Sequence, residues 1–169
     1  PTRPLFRSAI LAEAVRIAAE AQALGARKVL GLYCGSGSIE LSVSSSAGEV
    51  VGVDSESTNI AAARENAAFN EIRNCHFLEG RVEQVLKEQD LAGYDLLVLD
   101  PPRAGISPKG LKHIIGLNIP NIIYVSCNPA AFARDLGLLG EKGYRLRKLG
   151  CYDFFPHTPH LESLGILLR

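Results

Sequence analysis

Apolar positions recur at helical spacing between residues 4 and 24, where Leu5, Ile10, Leu11, Val15, Ile17 and Ala18 share one side of a 3.6-residue period, and Gly25 supplies a stop. The pattern then changes. Short, nearly continuous runs of Val, Leu and Ile at 28–33, 50–54, 75–79, 95–100 and 121–126 read as strands, and the stretches between them, 38–46, 57–70, 82–89, 107–117 and 129–139, read as helices. Strands apolar on both faces and alternating with helices belong to a parallel sheet covered on two sides. The tail breaks that rhythm, because 144–149 and 163–168 are both strand-like with no helical pattern between them, which predicts an antiparallel pair at one sheet edge. The expected fold class is α/β: a doubly wound, mostly parallel sheet with an antiparallel edge pair, in one domain over residues 1–169.

Composition narrows the function classes. The chain has 169 residues, 47% hydrophobic and 21% charged, the balance of a soluble globular domain. No apolar run reaches the roughly 20 residues of a membrane span and no signal-peptide core is evident, so a cytoplasmic protein is expected. The formal net charge is zero, which argues against a chain that grips nucleic acid by charge alone. The absence of Met and the start at Pro1 suggest an excised part of a longer protein, whose preceding portion could supply such a grip. Cys34, Cys75, Cys127 and Cys151 form no CxxC pair, so neither zinc nor a disulfide framework is indicated, and His157 and His160 lack a third ligand at a recognisable spacing. No metal is expected. Cys34, Cys75 and Cys151 read as buried structural thiols.

In sheets of this class, ligands bind beyond the carboxyl ends of the strands. GLYCGSGS, residues 31–38, joins the first strand to a helix, with Gly35 and Gly37 letting the backbone turn tightly and approach a ligand. Asp54 closes the second strand, at the spacing where an acid accepts hydrogen bonds from a ribose diol. An adenosine-type cofactor is implied. NAD and S-adenosylmethionine share this geometry, but the missing third glycine and the carboxylate of Glu40 at the helix start disfavour a diphosphate. Tyr33, Gly35, Gly37, Asp54 and Asp100 are the candidate cofactor contacts.

LLVLDPPRAG, residues 96–105, holds Asp100 extended ahead of two prolines that stiffen the wall of a slot suited to a flat ring. In YVSCNP, residues 124–129, Asn128 is a favourable N-cap and Pro129 a favourable first helical residue. Cys127 therefore stands beside a helix N-terminus, where the dipole is expected to lower its pKa. Glu162 follows a proline-punctuated loop able to fold over the cleft, and its company makes it a candidate base. Arg103 and Asn128 are candidate substrate contacts.

Taken together, LGLYCGSGSIEL, VVGVDSE, LDPPRAG, IIYVSCNPAAFARD and DFFPHTPHLES resemble the catalytic domain of the RNA uracil-C5 methyltransferases, which make 5-methyluridine in transfer and ribosomal RNA. The likeness runs over nearly the whole chain. It implies a class I, S-adenosylmethionine-dependent, Rossmann-like fold with a seven-stranded sheet, and an OB-type RNA-binding domain ahead of it in full-length relatives. It also implies Cys127 as nucleophile, Glu162 as general base, Asp100 as the uracil-contacting acid and Asp54 as the ribose-binding acid. Three positions depart from the family pattern: Gly31 replaces an acid, Pro1 aligns with a substrate-contacting Gln, and Arg81 stands where many relatives carry an Asp. Two rival readings stay open. An amino-group methyltransferase also uses an Asp-Pro-Pro slot, though it usually follows it with an aromatic residue and needs no cysteine. A domain retaining cofactor or RNA binding without catalysis is the other.

Overall fold

The computed structural model describes residues 4–91, 93–152 and 162–169, with side chains from residue 14 onward. Pro1 and the histidines at 157 and 160, with the rest of residues 153–161, lie outside the described residues. The chain runs α1 (Pro4–Ala23), β1 (Lys28–Leu32), α2 (Ser38–Val43), β2 (Glu49–Asp54), α3 (Ser57–Phe69), β3 (Cys75–Glu79), α4 (Val82–Glu88), β4 (Leu96–Leu99), α5 (Pro108–Gly116), β5 (Asn121–Ser126), α6 (Pro129–Gly140), β6 (Arg145–Tyr152) and β7 (Glu162–Leu168). These form a seven-stranded sheet in the order β3-β2-β1-β4-β5-β7-β6. The five strands from β3 to β5 are parallel, whereas β7 runs antiparallel to both of its neighbours.

Alternation along the strands divides the core in two. Leu30, Leu32, Leu97, Leu99, Ile122 and Tyr124 pack with Val82 of α4, Leu111 of α5 and Phe132 of α6 on one face. Val29, Val50, Leu96, Val98, Ile123 and Val125 pack with Ile17 of α1, Val43 of α2 and Ile60 of α3 on the other. Burial on both faces explains the continuous apolar runs in the sequence, and the reversal of strand order at the sheet centre, where β2 and β3 are added on one side of β1 and β4 and β5 on the other, opens a crevice at the carboxyl ends of β1 and β4.

The tail follows expectation with one extension. β6 continues to Tyr152 because β7 pairs with it up to Glu162. β6 is the edge strand and mostly solvent-exposed, so Cys151 on it is exposed; Cys34, just beyond the end of β1, is half-buried, and of the three only Cys75 is buried. The expectation of a buried Cys151 is therefore corrected: it rested on residue type, whereas exposure here follows from strand position.

Candidate active site

Strand register aligns the rim. Leu32 pairs with Val53 and with Leu99, and Leu99 pairs with Tyr124. Tyr33, Asp54 and Asp100 consequently leave the sheet at one level. On the far side Ser126 pairs with Ser163 across the antiparallel β5–β7 ladder. Cys127 follows Ser126 and Glu162 precedes Ser163, so this register sets the thiol opposite the carboxylate. A residue from a strand's end and one from another strand's beginning reach the same rim only because β7 is reversed.

The cofactor side is built around Asp54. Its Oδ2 accepts the Gly35 amide at 2.8 Å, and its Oδ1 accepts the Glu56 amide at 2.9 Å and the Asn59 side chain at 3.4 Å. This holds the GLYCGSGS turn against the end of β2. Tyr33 adopts φ 65, a left-handed conformation uncommon for a residue with a Cβ and typical of strained functional turns. A Cβ at Gly35 would meet nothing within 4 Å, so the turn leaves open space beside it. Gly37 is required for a different reason from the expected one: at φ 79, an added Cβ would stand 2.8 Å from the Phe77 ring and 3.1 Å from Ala63. It lets α2 and α3 close on β3. A cavity of about 240 Å³ is lined by Tyr33, Asp54, Arg81, Val82, Pro102 and Ser107. Its far wall is tied where the Ser107 hydroxyl donates to Glu83 at 2.6 Å.

The substrate side brings Asp100, Arg103, Cys127 and Glu162 into one electrostatic group. Burial, with the Glu162 charge adding to it, pushes the Asp100 carboxyl up to about 7, an effect tempered by the part of the side chain that meets solvent. The Cys127 thiol is also pushed up, by burial first and then by Glu162, while the Arg103 guanidinium pulls it down. This corrects the expected lowering by the α6 dipole. Asn128 does cap that helix, but desolvation and a facing carboxylate outweigh the partial charge of the helix end.

Asn128 uses both ends of its amide within the protein. Its Oδ1 accepts from Ala130 and Ala131, and its Nδ2 donates to the Arg103 carbonyl at 2.9 Å. It thereby joins the Cys127 turn to the Asp-Pro-Pro loop. Behind this junction lies Asp135, fully buried on α6. Its Oδ2 accepts from the Tyr124 hydroxyl at 2.6 Å and the Ile106 amide at 2.9 Å, and its Oδ1 accepts from Arg134 Nε at 2.8 Å. Arg134 in turn donates to the carbonyls of Ala104 and Ile106. Gly105 passes so close that a Cβ would stand 2.8 Å from Asp135 Oδ2, and its φ of 77 also favours glycine. Sequence reading assigned Asp135 and Arg134 no role. The available signal was an acid on the same helical face as Ala131, Phe132 and Leu139, all buried. Asp135→Ala is expected to destabilise the protein by about 2–5 kcal/mol, since it strands a buried hydroxyl and a buried amide. A denaturant melt of the variant checks this.

The profile described as tRNA (uracil-5-)-methyltransferase matches residues 6–169. The chain belongs to that family. An uncharacterized RNA methyltransferase of Clostridium tetani is 42% identical over 143 residues, covering 85% of this chain and 31% of the relative. The 23S rRNA (uracil(1939)-C(5))-methyltransferase of Aeromonas hydrophila is 42% identical over 144 residues, covering 84% of this chain and 32% of its own length. The crystal structure of Pyrococcus abyssi tRNA (uracil-54, C5)-methyltransferase in complex with S-adenosyl-L-homocysteine superposes with a TM-score of 0.79 at 33% identity, over 92% of this chain and 38% of that one. Magnesium protoporphyrin IX methyltransferase of Synechocystis, at 14% identity and a TM-score of 0.71, shares the fold alone. The seven-stranded sheet is thus the Rossmann-like class I methyltransferase fold. The chain spans about a third of the length of the curated family members it matches. Among the described residues no helix is long and apolar enough to cross a membrane, and no cluster of His, Cys, Asp or Glu could hold a metal ion.

Proposed function

We propose that this protein transfers a methyl group from S-adenosylmethionine to C5 of a uridine in transfer or ribosomal RNA through a covalent bond between Cys127 and C6 of the base. The observation that carries this reading is the placement of Cys127 opposite Glu162, with Asp100 immediately after the adjacent β4. Support for the cofactor comes from the open space beside Gly35, the Asp54 carboxylate and the cavity that includes Tyr33 and Arg81. Asp54 would receive the ribose hydroxyls, and Tyr33 with Pro102 would wall the adenosine. When bound, the cofactor supplies an electrophilic methyl group.

The chain's own residues do the rest. Uracil C5 is a poor nucleophile until a thiolate adds to C6 and pushes an electron pair onto C5. Cys127 makes that bond, and Arg103 beside it favours the thiolate. Once C5 carries the methyl group it still holds its proton. Glu162 removes the proton, the electron pair reforms the C5–C6 double bond, and the Cys127 thiolate leaves. Asp100, its pKa raised toward neutrality, is suited to hydrogen-bonding the polar edge of the ring. The target base must leave its stack to enter the slot. Because the chain is neutral overall, the broad grip on RNA is assigned to a preceding RNA-binding part of the whole protein, acting in the cytoplasm.

The test uses the full-length protein, S-adenosylmethionine and RNA carrying 5-fluorouridine. Fluorine cannot leave as a proton, so the adduct should persist, and peptide mass spectrometry should find RNA on Cys127. Cofactor binding with no adduct would overturn covalent catalysis and favour an amino-group methyltransferase or a binding domain.

A further inference from the structure

Glu40 is a buried carboxylate that the reaction above does not use. It lies on α2, only 3% exposed, and its Oε2 is buried without a hydrogen-bond partner. Desolvation pushes its pKa up to about 8, and the charges of Asp100 and Asp54 push in the same direction. Among the described residues it has no cationic partner. Its own backbone amide offsets part of that rise, but a buried acid with one oxygen unpartnered and the charges of two further acids acting on it is costly unless something positive and hydrogen-bonding completes it.

Its position indicates what that is. Glu40 reaches from α2 over Gly31 on the central strand β1, so closely that a Cβ at 31 would overlap Oε1 and stand 2.8 Å from Cδ. Gly31 pairs with Gly52 of β2 and Val98 of β4, the strands that end in Asp54 and lead into Asp100. The carboxylate therefore occupies the place of a β1 side chain, between the ribose-side acid and the base-side acid. This is where the amino-acid end of an S-adenosylmethionine bound in the crevice must run. That end offers one cation with N–H donors, its α-ammonium group. The sulfonium is positive but has no hydrogen to donate, and the carboxylate end would be repelled.

We propose that Glu40 is the anionic partner of the α-ammonium group of S-adenosylmethionine, delivered from α2 into the space that Gly31 leaves vacant. This rests on the cofactor assignment of the preceding subsection. The two positions are coupled: a glycine at 31 makes room for the acid at 40, and an acid at 31 would exclude it.

The test is calorimetry on the full-length protein with two ligands, S-adenosylhomocysteine, which carries the ammonium, and 5′-methylthioadenosine, which lacks the amino-acid portion. Glu40→Gln keeps the shape and stays neutral, as desolvation favours for this side chain in the free protein, so folding is not at risk, while the variant cannot become the anion that the ammonium requires. It should weaken S-adenosylhomocysteine by about 10- to 100-fold, the scale of a charged hydrogen bond, and leave methylthioadenosine unchanged. The double variant Glu40→Ser with Gly31→Asp, which moves the acid onto the strand, should recover most of the loss relative to Glu40→Ser alone. If the unmodified protein binds both ligands and Glu40→Gln leaves their ratio unchanged, this proposal fails while the cofactor assignment stands. If the unmodified protein binds neither, the cofactor assignment fails and takes this proposal with it.

Discussion

Cys127→Ala is expected to reduce methyl transfer by on the order of 10⁴-fold or more, the scale seen when a covalent nucleophile is removed. The loss should fall on turnover, with binding of S-adenosylhomocysteine unchanged, because the thiol stands on the β5 side of Asp100 whereas Asp54 and Tyr33 line the cofactor cleft on the other. Transfer of labelled methyl to RNA, alongside calorimetry, separates these outcomes, and a variant that kept its turnover would eliminate the thiol as nucleophile. The pH dependence carries a further sign. Burial and the Glu162 carboxylate hold the Cys127 thiol above its ordinary pKa, so in the free protein the thiolate is the minor form at neutral pH. Adduct formation with 5-fluorouridine RNA should accordingly accelerate as pH rises, beyond the value near 8.5 typical of free cysteine. A rate falling with pH would place a different group at the attacking position.

Glu162→Gln is expected to separate two steps that the unmodified protein links. Removing the base should slow turnover by about 10²- to 10⁴-fold, the usual contribution of a positioned general base. Attack itself should not slow. The Glu162 charge is one of the causes that raise the Cys127 pKa, so the amide raises the thiolate fraction and favours addition at a given pH. The variant should therefore accumulate RNA covalently bound to Cys127 with ordinary uridine as substrate. A denaturing gel showing a shifted protein that carries methylated RNA would demonstrate this, whereas slow turnover without any shifted species would remove Glu162 from the base role.

Much of this site could be read from the chain because its parts are local. Asn128 and Pro129 beginning α6, Asp54 closing β2 and the prolines after Asp100 are all set within a few residues of themselves. What could not be read depends on groups that the fold brings together from distant positions. The direction of the Cys127 shift depends on Glu162, which comes from another strand with opposite polarity. Asp135 looks like an ordinary helix acid until Tyr124 and Ile106 are seen to converge on it. Gly31 reads as a lost acid when taken alone, and only the packing of α2 on β1 shows a carboxylate returned to that place. Gly37 stands out in the sequence as a turn glycine, yet the crowding that requires it comes from Phe77, 40 positions along the chain and two strands away.

The insertion of β7 between β5 and β6 also bears on how the sheet is completed. Among the described residues β6 has no neighbour in the sheet but β7, so it joins the sheet only through β7, whose other partner β5 is distant in sequence. Such non-local pairing is slow to form. The five parallel strands can assemble and form the cofactor crevice before then, while the thiol still lacks the carboxylate opposite it. The proposed pair of Cys127 and Glu162 is therefore complete only once the strand carrying Glu162 has joined β5.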